Sequence, residues 1–275
     1  MDPLRAAQVR GDLRARRRLL DGPLTPAFEV VGRGPDVVLI PGTFSDRRAW
    51  LKQVGALSSR FRLLLFDPRG AGDTPDPGLP FTPDDLADDV VAAMDAAGVE
   101  RAHLVGHSLG AYLALLLAAR WPDRARRVVA LAPALFMDPY LLAVMDNWAA
   151  LAGSDLSDHD LHAALVLQAF GRAAFDRLVP AVVREMDRRP PARETILRYV
   201  ECDRGQDLRG LAARIDAPVL VVCGSDDALP GPGHARAVAE AVPGARLEVM
   251  DGLGHSPHIE APADFNRLVA DFLTR

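Results

Sequence analysis

The most informative stretch of this sequence for chemistry is Gly106-His107-Ser108-Leu109-Gly110, which contains the pattern Gly-x-Ser-x-Gly. An apolar run leads into it and a Leu/Ala-rich segment follows, so the pattern predicts a tight turn between a strand and a helix. Glycines suit the two flanking positions because side chains there would collide with the neighbouring backbone. The turn holds the Ser108 hydroxyl clear of the sheet edge. We therefore predict that Ser108 is a catalytic nucleophile.

A serine hydroxyl needs a base to become nucleophilic at neutral pH, and an imidazole is suitable because its pKa lies near 7. A buried carboxylate on the other ring nitrogen would fix the tautomer. Two later loops offer these groups, with Asp226 or Asp227 in one and His255 in the other. The order Ser, Asp, His is one of the familiar orders of a catalytic triad. Asp138 is a further candidate for the acid, and His258 is an alternative to His255.

The elements that must position these groups follow a regular alternation. Apolar runs typical of buried strands alternate with helical patterns from residue 27 to about 132, and again from 215 onward. This predicts an α/β fold, with a doubly wound, mostly parallel sheet and helices on both faces. In such a sheet the loops at the carboxyl ends of the strands share one edge, so the three candidate loops can meet there.

The alternation stops between residues 133 and 207, where the pattern is helical throughout. Helices alone between two strands predict an inserted all-helical cap. We therefore expect a core in two parts, 1–132 and 208–275, with the cap formed by 133–207. Residues 1–22 are rich in arginine and are predicted to form a peripheral helix or a ragged terminus with a solvated face. A nucleic-acid-binding or lipid-binding arm is disfavoured because no aromatic residues are interleaved with the arginines.

The cap and the loops near the predicted sheet edge also contain candidates for the substrate pocket. Helix-spaced aromatic residues more often form a hydrophobic core, so the pattern alone does not separate the two roles. The candidates are Phe44, Phe136, Tyr140, Trp148 and His258.

Composition limits the partners and the cofactors. The chain has 275 residues and a formal net charge of −5, which gives no reason to expect a nucleic acid or an anionic membrane as partner. Two cysteines do not make a disulfide framework, which favours a cytoplasmic location. No metal-ligand spacing or complete dinucleotide fingerprint is present, so we expect no metal and no cofactor. The predicted partner is a small-molecule substrate, and we expect a monomer or a homodimer.

Five segments together resemble the α/β-hydrolase fold enzymes, namely residues 37–44, 67–72, 104–110, 217–227 and 254–262. The resemblance covers roughly residues 27–275. It implies a serine hydrolase that cleaves a carboxylic ester or lactone of a small or medium-sized apolar substrate through an acyl-enzyme. In this family the acid usually sits third after the glycine that ends its strand, which favours Asp227. The family's histidine follows a glycine, which favours His255.

The remaining requirement is an oxyanion hole. Leu109 follows Ser108 at the start of the predicted helix, where its backbone N–H has no partner within the helix. By position, the resemblance assigns the second donor to the backbone N–H of Thr43. The sequence departs from the family here, because Pro41 stands where a histidine is usual, and Phe44 is a rival donor.

The resemblance leaves two other functions open, because one fold can support many reactions. The same residues could serve a haloperoxidase-like enzyme, a hydroxynitrile lyase, a C–C bond hydrolase or an acyltransferase. A catalytically inactive ligand-binding module is the third hypothesis.

Overall fold

The computed structural model describes residues 24–275, so the helix predicted at 1–22 lies outside the described residues. Seven strands form one sheet in the order β1-β3-β2-β4-β5-β6-β7. Strand β1 pairs antiparallel with β3, and the other neighbouring pairs are parallel. The predicted doubly wound, mostly parallel sheet is therefore confirmed. The strands are Phe28–Gly32 (β1), Asp36–Ile40 (β2), Arg62–Phe66 (β3), Ala102–His107 (β4), Ala125–Leu131 (β5), Val219–Gly224 (β6) and Arg246–Met250 (β7).

Ten α-helices are found within residues 24–275. They are Leu51–Leu57 (α1), Pro83–Ala96 (α2), Leu109–Arg120 (α3), Pro139–Ala152 (α4), Asp158–Val166 (α5), Arg172–Arg188 (α6), Arg193–Asp203 (α7), Gly231–Ala241 (α8), Pro257–Glu260 (α9) and Pro262–Leu273 (α10). Short 3-10 helices span Arg47–Trp50, Pro122–Arg124 and Ala212–Arg214.

Both faces of the sheet are covered, because successive side chains of a strand point to opposite faces. Along β2, Val38 and Ile40 join a core that contains most of α3, whereas Val37 and Leu39 join a second core with residues of α10. All six residues of β4 are buried. The strand that leads to Ser108 is therefore fully enclosed between the two cores.

Helices α4 to α7, which we call the cap, lie between β5 and β6. The two ends of the inserted segment lie side by side: Leu208 N–H donates to the Leu135 oxygen at 2.8 Å, and Met137 N–H donates to the Gln206 oxygen at 3.3 Å. Helix α5 ends at Val166, although the helical pattern of the sequence continues to Phe170. The chain turns there so that the backbone N–H of Gly171 can donate to Glu260 near the sheet edge.

The turn before α3 has no room for a side chain at Gly106. A Cβ atom there would lie 2.0 Å from the backbone oxygen of Gly110. We expect Gly106→Ala to lower the free energy of unfolding by about 3 kcal/mol or more, because rigid backbone must move. Urea unfolding measures this loss. The matched control is Gly55→Ala in α1, where a Cβ would meet nothing within 4 Å and alanine is expected to stabilise the helix by up to about 1 kcal/mol. Equal effects of the two substitutions would contradict this explanation.

Candidate active site

Ser108 occupies a strained turn between β4 and α3. Its φ and ψ are 54° and −120°, a backbone conformation that costs energy in any residue with a side chain. The surrounding backbone maintains it, since Ser108 N–H donates to the Leu131 oxygen at 2.8 Å and the Ser108 oxygen accepts from Ala111 N–H. The residue also lines a pocket between the sheet edge and the cap. The sequence pattern thus predicted the turn, and the structure shows its strain.

The carboxylate of Asp227 lies against the ring of His255. Atom Nδ1 of His255 is 3.1 Å from both Oδ1 and Oδ2 of Asp227, and both residues are buried. A carboxylate only accepts, so Nδ1 carries the proton and Nε2 is left free to act as a base. Burial alone would raise the pKa of Asp227, but the neighbouring His255 outweighs it and holds that pKa below its usual value.

Backbone hydrogen bonds hold the loops of these two residues together. Ser225 N–H donates to the Met250 oxygen at 3.0 Å, and Asp226 N–H donates to the Leu253 oxygen at 2.9 Å. A Cβ on Gly224 would lie 2.0 Å from that same Leu253 oxygen, so this close approach requires glycine. The Asp226 side chain is exposed and accepts from Ser225 Oγ at 3.0 Å. Of the two adjacent acids, Asp227 is therefore the one paired with His255.

His107 connects the Ser108 turn to the His255 loop. Its Nε2 atom lies 2.9 Å from the backbone oxygen of His255, and the two ring centroids are 4.8 Å apart. Burial, reinforced by the nearby His255, lowers the pKa of His107 to about 3, so this ring is neutral at neutral pH. Within residues 24–275 no hydrogen bond joins Ser108 Oγ to His255. Catalytic hydrogen bonds are often long without substrate and tighten when it binds.

The two backbone amides predicted for the oxyanion hole lie beside the serine. Leu109 is the first residue of α3, and a Cβ on Gly42, next to Thr43, would lie 3.2 Å from Ser108 Cβ. In the described part of the chain neither N–H has a hydrogen-bond partner. The N–H of Phe44 is equally free, so Thr43 stays a prediction. Phe44 also has a positive φ of 60°, in a turn closed by Ser45 N–H donating to the Gly42 oxygen.

The pocket at Ser108 is mainly apolar and encloses about 390 Å³ of empty space, including its opening to solvent. Helix α4 supplies one wall and the loops at the sheet edge supply the other. Two polar groups from the end of the cap, Asp203 and Gln206, reach the same pocket. The lining residues are Thr43, Ser108, Ala132, Ala134, Met137, Leu141, Met145, Trp148, Asp203, Gln206, Leu229 and Pro230.

Of the five pocket candidates, the structure places one in the lining and one behind it. Trp148 lines the pocket, and the ring of Phe44 packs against it at 5.5 Å. The other three candidates do not line this pocket. Phe136 lies under the guanidinium of Arg209 at 4.4 Å, and Tyr140 is half exposed and donates its hydroxyl to the Ala228 oxygen. His258 is buried beside α10, and the pocket lining does not include it.

His258 packs against Trp50 and Phe265, and no protein atom among the described residues makes a hydrogen bond to either ring nitrogen. Burial lowers its pKa well below the ordinary value, with smaller contributions from His107 and His255. The folded protein thus keeps this ring neutral. The unfolded chain takes up a proton below about pH 6.5.

Because only the unfolded chain takes up this proton, the free energy of unfolding falls as the pH drops below about 6.5. His258→Leu lacks the titrating ring. Below about pH 6.5 we therefore expect its free energy of unfolding to rise relative to that of the native protein by about 1.4 kcal/mol for each pH unit of acidification. Urea unfolding from neutral to mildly acidic pH measures the difference. The exposed His159, whose pKa is raised by its hydrogen bond to Asp187, is the control. His159→Gln should show no such gain, and parallel stability curves for His258→Leu and the native protein would overturn the assignment.

Two site residues were not found by sequence reasoning. Asp203 is a fully buried acid of the pocket, and nothing in its local pattern marks it. Glu260 accepts backbone N–H groups from Gly171 in the cap and from Gly254 and Ser256 around His255. It thereby fastens the cap to the His255 loop. Its place five residues after His255, in one of the segments that resemble the family, was the available signal.

No group of three His, Cys, Asp or Glu side chains within residues 24–275 could hold a metal ion. None of the helices described is long and apolar enough to cross a membrane.

The fold and the arrangement around Ser108 define the class of protein. Residues 35–262 match the alpha/beta hydrolase fold family, and the chain belongs to that family. It is 33% identical to a Caulobacter sp. (strain K31) protein that carries the provisional name carbamate hydrolase RutD, over 86% of this chain and 90% of that protein. It is 30% identical to the pyrrolizixenacetamide deacetylase of Xenorhabdus hominickii, over 90% and 94%. The crystal structure of the enol-lactonase from Burkholderia xenovorans LB400 superposes with a TM-score of 0.83 at 31% identity, covering 91% of this chain and 96% of that one.

Proposed function

We propose that this protein is a serine hydrolase that cleaves a carboxylic ester or lactone of a small or medium-sized apolar substrate through an acyl-enzyme. The observation that carries the proposal is a strained serine in the wall of an apolar pocket, together with a buried His255–Asp227 pair whose backbone contacts His107, the residue before the serine. The three similar proteins are named for acting on a carbamate, an acetamide and an enol-lactone. Each of these reactions is an attack on an acyl carbon.

In the proposed reaction Ser108 Oγ attacks the acyl carbon while Nε2 of His255 takes its proton. The backbone N–H groups of Leu109 and Thr43 stabilise the oxyanion, each worth about 3 kcal/mol. The alcohol leaves with the proton from His255, and Ser108 holds the acyl group. A water molecule, deprotonated by His255, then releases the acid and restores the serine. Asp227 keeps the imidazole in the required tautomer throughout.

Labelling with a fluorophosphonate, followed by mapping of the modified peptide, tests the nucleophile directly. We expect a single modification at Ser108 in the folded protein and none after denaturation. A label on another residue would refute the assignment, and the absence of any label would favour a non-catalytic binding module.

A panel of matched substrates then tests the reaction class. It contains an aryl ester, a lactone, an N-acetyl amide and a carbamate of similar size. We expect the ester or the lactone to have the highest kcat/KM. The two similar proteins named for a carbamate and an acetamide make an amide-type substrate the second candidate. Labelling of Ser108 without turnover of any member would instead favour one of the non-hydrolytic enzymes of this fold.

A further inference from the structure

One charged residue in the pocket has no role in the proposed reaction. Asp203 is the last residue of α7 and is 3% exposed, yet it lines the same pocket as Ser108. Its Oδ2 accepts from Thr43 Oγ1 at 2.8 Å, and its Oδ1 accepts from Gln206 Nε2 at 2.7 Å. Both partners are neutral. A carboxylate therefore stands in a largely apolar wall, next to the loop that carries the predicted oxyanion donor.

No basic side chain among the described residues pairs with this carboxylate. Within residues 24–275 no Arg, Lys or His nitrogen lies within 4.0 Å of Asp203, and none of these residue types lines the pocket. Its position at the carboxyl end of α7 adds to the cost, because the helix dipole favours a cation there. Burial raises the pKa of Asp203 to about 7, although the two hydrogen bonds act in the opposite direction. The residue lacks a positive partner.

We propose that Asp203 binds a protonated amine on the acyl part of the substrate. This inference rests on the proposed hydrolase function and specifies its substrate class. An ammonium group in the pocket would supply the missing positive charge and would use the free lone pairs of the carboxylate. Trp148 lines the same pocket and offers an aromatic surface that also attracts a cation. The apolar side chains around them would then hold the methylene groups of the acyl chain.

Two pairs of p-nitrophenyl esters test this inference. The 3-aminopropanoate is compared with the butanoate, and the longer 6-aminohexanoate with the heptanoate. In each pair an ammonium group replaces a methyl group, so size is held nearly constant. Asp203→Asn is the matched variant, because its amide has the same shape and can keep a hydrogen bond with Thr43. We expect it to lower the ratio of kcat/KM for the amine ester to kcat/KM for its neutral partner by at least about 10-fold in one of the pairs.

An equal fall for both members of each pair would overturn the inference, because it would mean that Asp203 acts only by positioning Thr43. An unchanged ratio would overturn it as well. Calorimetric binding of the same esters to Ser108→Ala, with and without Asp203→Asn, requires no turnover. In one outcome the binding constants show a preference for the amine ester that Asp203→Asn removes, while the native protein hydrolyses neither ester. That result would support the amine site and refute the proposed hydrolysis.

A second measurement covers the case in which Asp203→Asn does not fold. With Asp203 unchanged, Ser108→Ala is expected to bind the amine ester of one pair at least as tightly as its neutral partner. An uncompensated ammonium would be strongly excluded from an apolar pocket. Binding of the neutral ester alone would therefore contradict the inference.

Discussion

Ser108→Ala is expected to lower kcat/KM for p-nitrophenyl butanoate by at least about 10⁴-fold, because the proposed acyl-enzyme forms on the Ser108 hydroxyl. The alanine side chain fits the same strained turn, and its Cβ keeps the position of the serine Cβ. The fold should therefore be preserved. Initial rates of p-nitrophenol release, measured on proteins of verified circular dichroism, give the comparison.

Ser59→Ala is the matched control for this experiment. Ser59 is exposed, and its hydroxyl donates to the local Ala56 oxygen just before β3, at the opposite end of that strand from its carboxyl end. Its activity should equal that of the native protein. If Ser108→Ala kept the native rate, Ser108 would not be the nucleophile and the proposed acyl-enzyme on it would be refuted.

The second large effect is expected from Asp227→Asn, which should lower kcat/KM by about 10³- to 10⁴-fold. The amide has the shape of the carboxylate but can donate to Nδ1 of His255. The imidazole would then hold its proton on Nε2, where the proposed base needs a lone pair. The loss should appear in kcat more than in KM, since the pocket wall is unchanged. Steady-state kinetics on the aryl ester measure both.

Asp226→Asn tests the neighbouring acid under identical conditions. Asp226 is exposed and bonds to Ser225 Oγ, so its replacement should change kcat/KM by less than about 3-fold. A large loss in Asp226→Asn together with a small loss in Asp227→Asn would reverse the assignment of the acid. Similar losses in both would mean that the loop, and not one carboxylate, is needed.

Hydrogen bonds connect the inserted helices to the loops of the candidate active site. Glu260 joins Gly171 of the cap to the backbone around His255, and Thr43 joins the sheet edge to Asp203 at the end of α7. The pocket therefore lies between two parts of the chain that are joined by several hydrogen bonds, of which these lie beside the candidate site. A substrate group that engages Asp203 would contact the cap and the reaction site together.

The sequence alone determined the alternation of strands and helices and the position of the serine turn. These features depend on local periodicity and on two glycines that are close together in the chain, so they can be read without tertiary contacts. The family resemblance added the preference for Asp227 and His255. Both preferences rest on short spacings from a glycine, and the structure shows these two residues paired.

The tertiary structure decided which side chains reach the pocket. Phe136, Tyr140 and Trp148 lie close together in the sequence, yet of the three only Trp148 lines the pocket. Tyr140 lies on an exposed side of α4, and Phe136 precedes that helix and contacts Arg209. Asp203 lies about 100 residues from Ser108 in the chain and carries no local signal. It becomes part of the pocket only because the cap folds back over the sheet edge, a long-range packing arrangement that periodicity does not encode.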